Sequence, residues 1–477
     1  MRRRLLGIFT ASSPAVLALA VVLATAAAAA LPANFDSSAA RGNEAEDAIA
    51  VNPTNPANVV TMSTLPDAIS GLFEGVSFNG GKTWTRRVIG AGDALGDICC
   101  DEQLAWDRFG NLWMTYLLNF PNNNVFVALS TDGGLSFSKV AEIVPTTPTG
   151  SRAPSKSAAK RLHTNNPNIY GDQPSISVGA NSVWVSYTSV PSEVIQAFGA
   201  SVSGLGQFGA FSALETVPTS AGRGDYGDTA VGPNGQVLVT YQDATNGQGG
   251  AHVYTALDPD GLGPAGFNDP RLLASTNVGG FDYIPAQKHR SVDAEANLAW
   301  DRSGGPHNGR VYAIWTQESP NESDNMDIMF QHSDDNGTTW SPAVKLNDDQ
   351  TTNSQFNPAI ALDEATGDVA VSWYDARNDL GTGGSGDTDG VPNDDAQIWA
   401  TASTDGGATF APNFRVSLGT SNANGAQSSF DYGDYTHAAF QSNAFFPAWS
   451  DNSNSTGDNP DGTLHQLDLY TAKVVIR

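Results

Sequence analysis

Ser333-Asp334-Asp335-Asn336-Gly337-Thr338-Thr339-Trp340 is one of four copies of a single pattern, Ser-x-Asp/Asn-x-Gly-x-Thr/Ser-Trp/Phe. The others run from Ser77 to Trp84, Ser130 to Phe137 and Ser403 to Phe410. An alternating apolar run precedes each copy, as in Val125-Phe126-Val127-Ala128-Leu129, and a short β-like segment follows. This is hairpin grammar. The glycine takes positive φ, the Asp or Asn side chain bonds the amides of its own turn, and the closing aromatic points back into a core. One supersecondary unit repeated along a chain predicts a propeller or an array.

Upstream of each hairpin position lie a short strand, a turn and a second strand rich in Val, Trp and Tyr. The pairs are Asp47–Val51 with Asn58–Met62, Gln103–Trp106 with Leu112–Tyr116, Ser175–Val178 with Val183–Tyr187, and Thr229–Val231 with Val237–Tyr241. They continue with Asn297–Trp300 and Val311–Trp315, Ala359–Leu362 and Val369–Trp373, and His437–Phe440 and Phe445–Trp449. Seven units predict an all-β propeller of four-stranded antiparallel blades over residues 31–477. The third and fourth units keep only degenerate turns, near Ser201–Gly204 and Asp258–Gly261. The last unit ends with Leu467–Ile476 and lacks a fourth strand. An open edge must be covered, and Ala33–Gly42 is expected to supply that strand.

Residues 1–30 read as a signal peptide: Arg2, Arg3 and Arg4, an apolar stretch from Leu5 to Leu23, then an alanine run before Leu31-Pro32. The alternative, an uncleaved anchor, fits the length of the apolar stretch, whereas the small residues at its end favour cleavage. With 50 acidic against 24 basic residues and a net charge of −26, the surface repels nucleic acid and anionic membranes and attracts cations. No nucleic-acid or membrane partner is expected after cleavage, and the chain is read as an extracellular monomer. The adjacent Cys99 and Cys100 exclude any long-range disulfide. They are read as a vicinal disulfide or as two free thiols.

With four such turns the chain resembles the sialidase superfamily of Asp-box propellers, built on the bacterial neuraminidase repeat. The resemblance implies the propeller fold, though with six blades where the count here is seven. It also implies that the Asp-box turns lie opposite the active face, which makes Asp132, Asp335 and Asp405 turn formers. On the active face, six of the seven inner strands start beside an acid: Glu46, Asp101, Asp172, Asp228, Glu295 and Asp434. These carboxylates either bond backbone amides at strand starts or form a ring around the channel mouth.

The resemblance further implies a glycosidase that needs three arginines to clamp a substrate carboxylate, a Tyr–Glu pair as nucleophile and an Asp as acid/base. Arg223, Arg290 and Arg377 fall on the expected face. Tyr432 or Tyr435, Glu295, and Asp97 or Asp101 match the remaining roles. The family's Phe/Tyr-Arg-Ile-Pro phrase is missing; the nearest match, Asp282-Tyr283-Ile284-Pro285, lacks the arginine. Two functions follow: a sialidase-like glycosidase acting on carbohydrate or glycoprotein, or a non-catalytic propeller that binds glycan or protein. No organic cofactor is expected. Asp387, Asp389, Asn393 and Asp395 alternate around Gly390 with hard oxygen ligands, as calcium loops do, so structural Ca²⁺ or a solvated acidic loop is expected there. The seven histidines show no metal-ligand spacing.

Overall fold

Short apolar strands, many of them buried along their whole length and punctuated by Gly- and Asp-rich turns, pair in chain order because each short turn leaves the next strand no nearer partner. The computed structural model describes residues 30–119, 124–145, 169–243 and 247–477. The expected signal peptide, and nearly all of the long loop from Pro145 to Pro167, lie outside these residues. Pro32–Arg477 form one unit of seven antiparallel blades.

Blade I comprises Ala45–Val51, Val59–Thr64, Leu72–Ser77 and Thr85–Ile89. Blade II follows with Gly96–Trp106, Leu112–Leu118, Val125–Ser130 and Ser138–Ile143. Blade III has Tyr170–Val178, Ser182–Val190 and Val194–Gly204, with its outer edge split into Gln207–Phe208 and Glu215–Thr216. Blade IV has a divided inner strand, Gly224–Asp225 and Thr229–Val231, then Val237–Asp243, Ala251–Asp258 and Arg271–Thr276. Blade V is Asn297–Trp300, Val311–Glu318, Met326–Ser333 and Val344–Lys345. Blade VI is Gln355–Leu362, Val369–Asp375, Gln397–Ser403 and Phe414–Arg415. Between blades IV and V the chain inserts a hairpin, Asp282–Ile284 with Gln287–Val292, that the repeat pattern does not foretell.

Blade VII closes the ring. Ala438–Gln441, Ala444–Asp451 and Asp468–Ala472 come from the C-terminus, and Asn34–Asp36 adds the outer strand. Asn34 faces Ala472 and Asp36 faces Tyr470, so the N-terminal segment does supply the missing strand, with three residues. The pairing satisfies backbone groups that an open edge would leave exposed.

The Asp-box turns are built alike. In the fourth copy Ser403 Oγ donates to Asp405 at 2.8 Å, Asp405 accepts the Thr409 amide at 2.9 Å, and the Gly407 amide bonds Ser403 Oγ at 2.8 Å. Gly407 has φ of 82°, and a Cβ there would lie 2.6 Å from Phe330 of the preceding blade. Glycine is therefore required twice over, for its backbone and for the close approach. Gly134 repeats the arrangement, with a Cβ at 2.7 Å from Val60 of blade I. The closing aromatics pack as expected: Phe410 meets Phe330 edge-on at 4.8 Å. Asn58, in the first turn of blade I, bonds Gly133 O of the neighbouring Asp-box at 3.0 Å, so these turns share one face. Buried Trp113, Trp184, Trp373 and Trp449 on the second strands fill the core.

Candidate active site

On the other face, the inner strands start with a bulge. Pairing slips between Ala45 and Ala48, Cys100 and Gln103, Asp172 and Ser175, and Phe356 and Ala359. Inside each slip one residue takes left-handed backbone: Glu46 (φ 62°), Asp101 (58°), Gln173 (44°) and Asn357 (45°). Glu295 (36°) holds the same position before Asn297–Trp300. Such a bulge turns a side chain out of the normal alternation. For a residue with a Cβ it costs about 1–3 kcal/mol. Five repetitions at equivalent strand starts make this rim a candidate site, since backbone strain of this kind often clusters where geometry is used.

The rim side chains touch. Arg290, carried by the inserted hairpin, donates through Nη2 to Glu46 at 3.2 Å and also to Asp434, and lies 4.9 Å over Phe430. Gln173 Nε2 donates to Asp434 at 3.2 Å, and the Gln173 amide donates to Asp101 at 2.9 Å. Gln287 and Asn357 clamp the Gly433 carbonyl at 2.9 and 3.0 Å. Asp228 sits one layer deeper, accepting from Ser175 Oγ at 2.6 Å and the Leu298 amide at 2.8 Å. It therefore follows the strand-start reading, whereas Glu46, Asp101 and Asp434 form the ring.

Burial sets the protonation. It lifts Glu46 to about 7 despite the opposing pull of Arg290. Burial likewise holds Asp101 and Glu295 well above the carboxylate range, reinforced by Glu46 beside Asp101 and by Asp434 beside Glu295. Desolvation opposes the charge on Arg290, but Asp434 and Glu46 outweigh it and raise its pKa further. Several rim atoms are buried without a partner: Glu46 Oε2, Glu295 Oε2, Asp434 Oδ1, Gln173 Oε1, Asn357 Oδ1, Tyr435 hydroxyl and Arg290 Nε. Unpaired buried polar atoms cost about 1–3 kcal/mol each, so a water or a polar ligand group that meets these atoms is favoured. Below the rim, a cavity of about 50 Å³ is lined by Asp228, Glu295, Asn297, Tyr435 and His437. A larger cavity, about 660 Å³, opens at the Asp-box end of the channel. Its lining mixes apolar side chains (Ile49, Leu104, Trp106, Leu298, Trp300) with Arg108, Arg302 and Glu364, so the larger opening and the carboxylate rim lie at opposite ends of the channel.

The three arginines have separate partners. Arg377, 9% exposed, is held by Asp375, Asp348 and Asn413 and stacks 4.2 Å from Trp399, all on or beside the outer part of blade VI. Arg223 bonds Thr219 O at 3.2 Å and lies over Tyr254. Among the described residues Arg290 is the arginine bonded to the rim. Tyr432 is wholly buried, stacked 4.3 Å from Tyr374, and donates to Ser421 O at 3.0 Å. This seat corrects its assignment as a nucleophile: the hydroxyl is committed inside the core, and Tyr435 is the tyrosine at the rim. Asp97 sits on the outer approach, where Ala91 pairs with it, so Asp101 is the acid that reaches the ring. Cys99 and Cys100 are disulfide-bonded directly before it.

The acidic loop of blade VI also gathers. Asp387, Asp389 and Asp395 bring ligand oxygens within 4.8 Å of one another, and Asp379, Asp394 and Asp395 do the same. Asn393 turns away, accepting the Ser354 amide at 2.7 Å and donating to Asp324 O. Gln173, Asn357 and Asp379 were not foreseen as site residues. The signal for the rim was a polar residue three places before an inner-strand apolar one: Glu46 and Ile49, Asp101 and Leu104, Gln173 and Ile176, Glu295 and Leu298, Asn357 and Ile360.

The family model of the BNR/Asp-box repeat matches residues 331–342, the third copy of the turn. No curated protein matches the chain. Among solved structures it is similar to the polysaccharide lyase Uly1, at 8% identity over 91% of this chain and 90% of that one, with a TM-score of 0.49. It is similar to a protein of unknown function from Dyadobacter fermentans, at 12% identity over 93% and 98%, TM-score 0.48. It is also similar to the Hadza microbial sialidase Hz136, at 15% identity over 88% and 76%, TM-score 0.43. These likenesses concern the fold. The chain is a seven-bladed propeller with four Asp-box turns, one of which the BNR/Asp-box repeat model matches.

Proposed function

We propose that this is an exported, glycan-directed propeller whose carboxylate rim cleaves a glycosidic bond. The observation that carries the reading is the rim: buried acids with unpartnered oxygens, held at the channel mouth by strained bulges. Glycoside hydrolysis needs one carboxyl that keeps its proton at working pH and one that carries charge. Glu46, lifted to about 7 by burial, is suited to donate a proton to the leaving oxygen. Asp434, bonded by Arg290 and Gln173, is placed to act as the second carboxyl, with Asp101 and Glu295 around the same mouth. The basic-then-apolar start of the sequence supports export.

The substrate is a neutral sugar rather than a sialic acid. Arg290 already faces Glu46 and Asp434, and Arg377 faces Asp375 and Asp348, so a substrate carboxylate beside either would meet negative charge. The non-catalytic alternative, a glycan-binding module, draws support from Tyr432 being locked in the core. The test is sugar release from panels of neutral and sialylated glycans by the purified protein and by Glu46→Gln. Release from neutral glycans that the substitution abolishes supports the hydrolase. Binding without release supports the module, and neither binding nor release sinks both.

A further inference from the structure

The acidic loop of blade VI does more than face water. Asp379, Asp394 and Asp395 are each 1% exposed or less, and their nearest ligand oxygens lie within 4.8 Å of one another. Oxygens within that span can share one hard cation, and a set supplied wholly by the protein suits calcium, at ~2.4 Å, better than magnesium, which usually keeps several of its waters. The carboxylates are pre-aimed. Asp379 Oδ2 accepts the Asp394 and Asp395 amides at 2.7 and 2.9 Å, and Thr388 Oγ1 donates to Asp395 at 2.7 Å.

A second observation is independent of the acid count. Asp394 Oδ1 is buried and has no hydrogen-bond partner. Two neighbouring amides carry the same mark: Asn422 Oδ1 and Asn424 Oδ1 are buried and unpartnered, while their nitrogens point at Asp389 and Asp394. A half-turn of the Asn422 amide exchanges donor for carbonyl oxygen, the neutral ligand a hard cation takes, while Asn424 keeps its nitrogen on Asp394 and Pro285 O. Lys288 approaches Asp394 at 3.6 Å but is half exposed, too little charge for five clustered carboxylates.

We propose that Asp379, Asp394 and Asp395 form a Ca²⁺ site, completed by Asn422, and that Asp387 and Asp389 extend it through the shared Asp395. The site spans separate parts of the mouth. Asn424 bonds both Asp394 and Pro285 O, at the turn of the hairpin that presents Arg290, and Lys288 stands on the same hairpin. Calcium there anchors the Arg290 hairpin to blade VI, whatever reaction the rim performs.

The test is calorimetric titration of the chelator-stripped full chain with CaCl₂, alongside thermal unfolding with and without the ion. Saturable binding and a rise in Tm of several degrees are expected, with MgCl₂ at least tenfold weaker. Asp379→Asn and Asp395→Asn should each weaken binding more than tenfold, and Asp387→Asn less. Should those variants fail to fold, terbium luminescence excited through nearby aromatics reports occupancy in the wild-type chain, and calcium should displace it. No saturable calcium binding by the wild-type chain overturns the proposal. So does binding that survives both Asp379→Asn and Asp395→Asn.

Discussion

Glu46→Gln separates the rim's cost to stability from its use. Glu46 is 1% exposed, and burial lifts it from 4.5 to about 7 in the folded chain. The folded state therefore keeps a proton that the unfolded chain releases, and stability falls as pH rises through that window. At ~1.4 kcal/mol per pH unit, the displacement costs the fold about 3 kcal/mol by pH 8. Glutamine mimics the protonated acid in shape and charge. Near pH 4 the variant should match the wild type in urea unfolding, and at pH 8 it should be more stable, by up to about 3 kcal/mol. Asp47, lifted to about 8 by burial, and other raised acids add a slope of the same sign to both proteins, which the difference removes. Sugar release should meanwhile be lost at every pH. A variant equally destabilised at pH 4 and 8 would refute the reasoning, as would wild-type stability that climbs from pH 5 to 8.

The remaining predictions separate rim from scaffold. Arg377→Ala strands buried Asp375 and should cost about 3–5 kcal/mol in unfolding experiments, while rim activity per folded molecule is unchanged. Arg290→Met, one-third exposed, should cost less, about 2 kcal/mol, yet abolish turnover in the same glycan assay. Gly407→Ala, which drives a Cβ into Phe330, should lower Tm far more than Gly383→Ala, where φ is 71° but nothing lies within 4 Å. Deleting residues 32–37 uncovers the Asp468–Ala472 edge, so light scattering should show association absent from the intact chain.

The fold was legible because its signals are local. Each Asp-box writes its own turn, and a pair of short apolar strands precedes each one, so seven blades and even the N-terminal closing strand were readable. The positions of the strand-start acids were legible where one charged residue preceded an inner strand, as with Glu46, Asp101 and Glu295. The site was opaque where pairing over long separations decided the outcome. Arg377 lies beside Asp375 in the chain, yet Asp348 and Asn413 fix its head. Tyr432 and Tyr435 stand three residues apart, and which one faces the rim depends on stacking against Tyr374, far away in sequence. Gln173 and Asn357 escaped because they carry no charge, although backbone geometry places them in the same bulge as the acids.

The account turns on whether the rim performs glycosidic chemistry. The direct measurement is release of reducing sugar from neutral glycans by wild-type and Glu46→Gln protein, side by side from pH 4 to 8. The account predicts wild-type release that declines as pH rises through about 7, and none from Glu46→Gln at any pH. Equal release by both proteins, or none by the wild type on any neutral glycan, would contradict it.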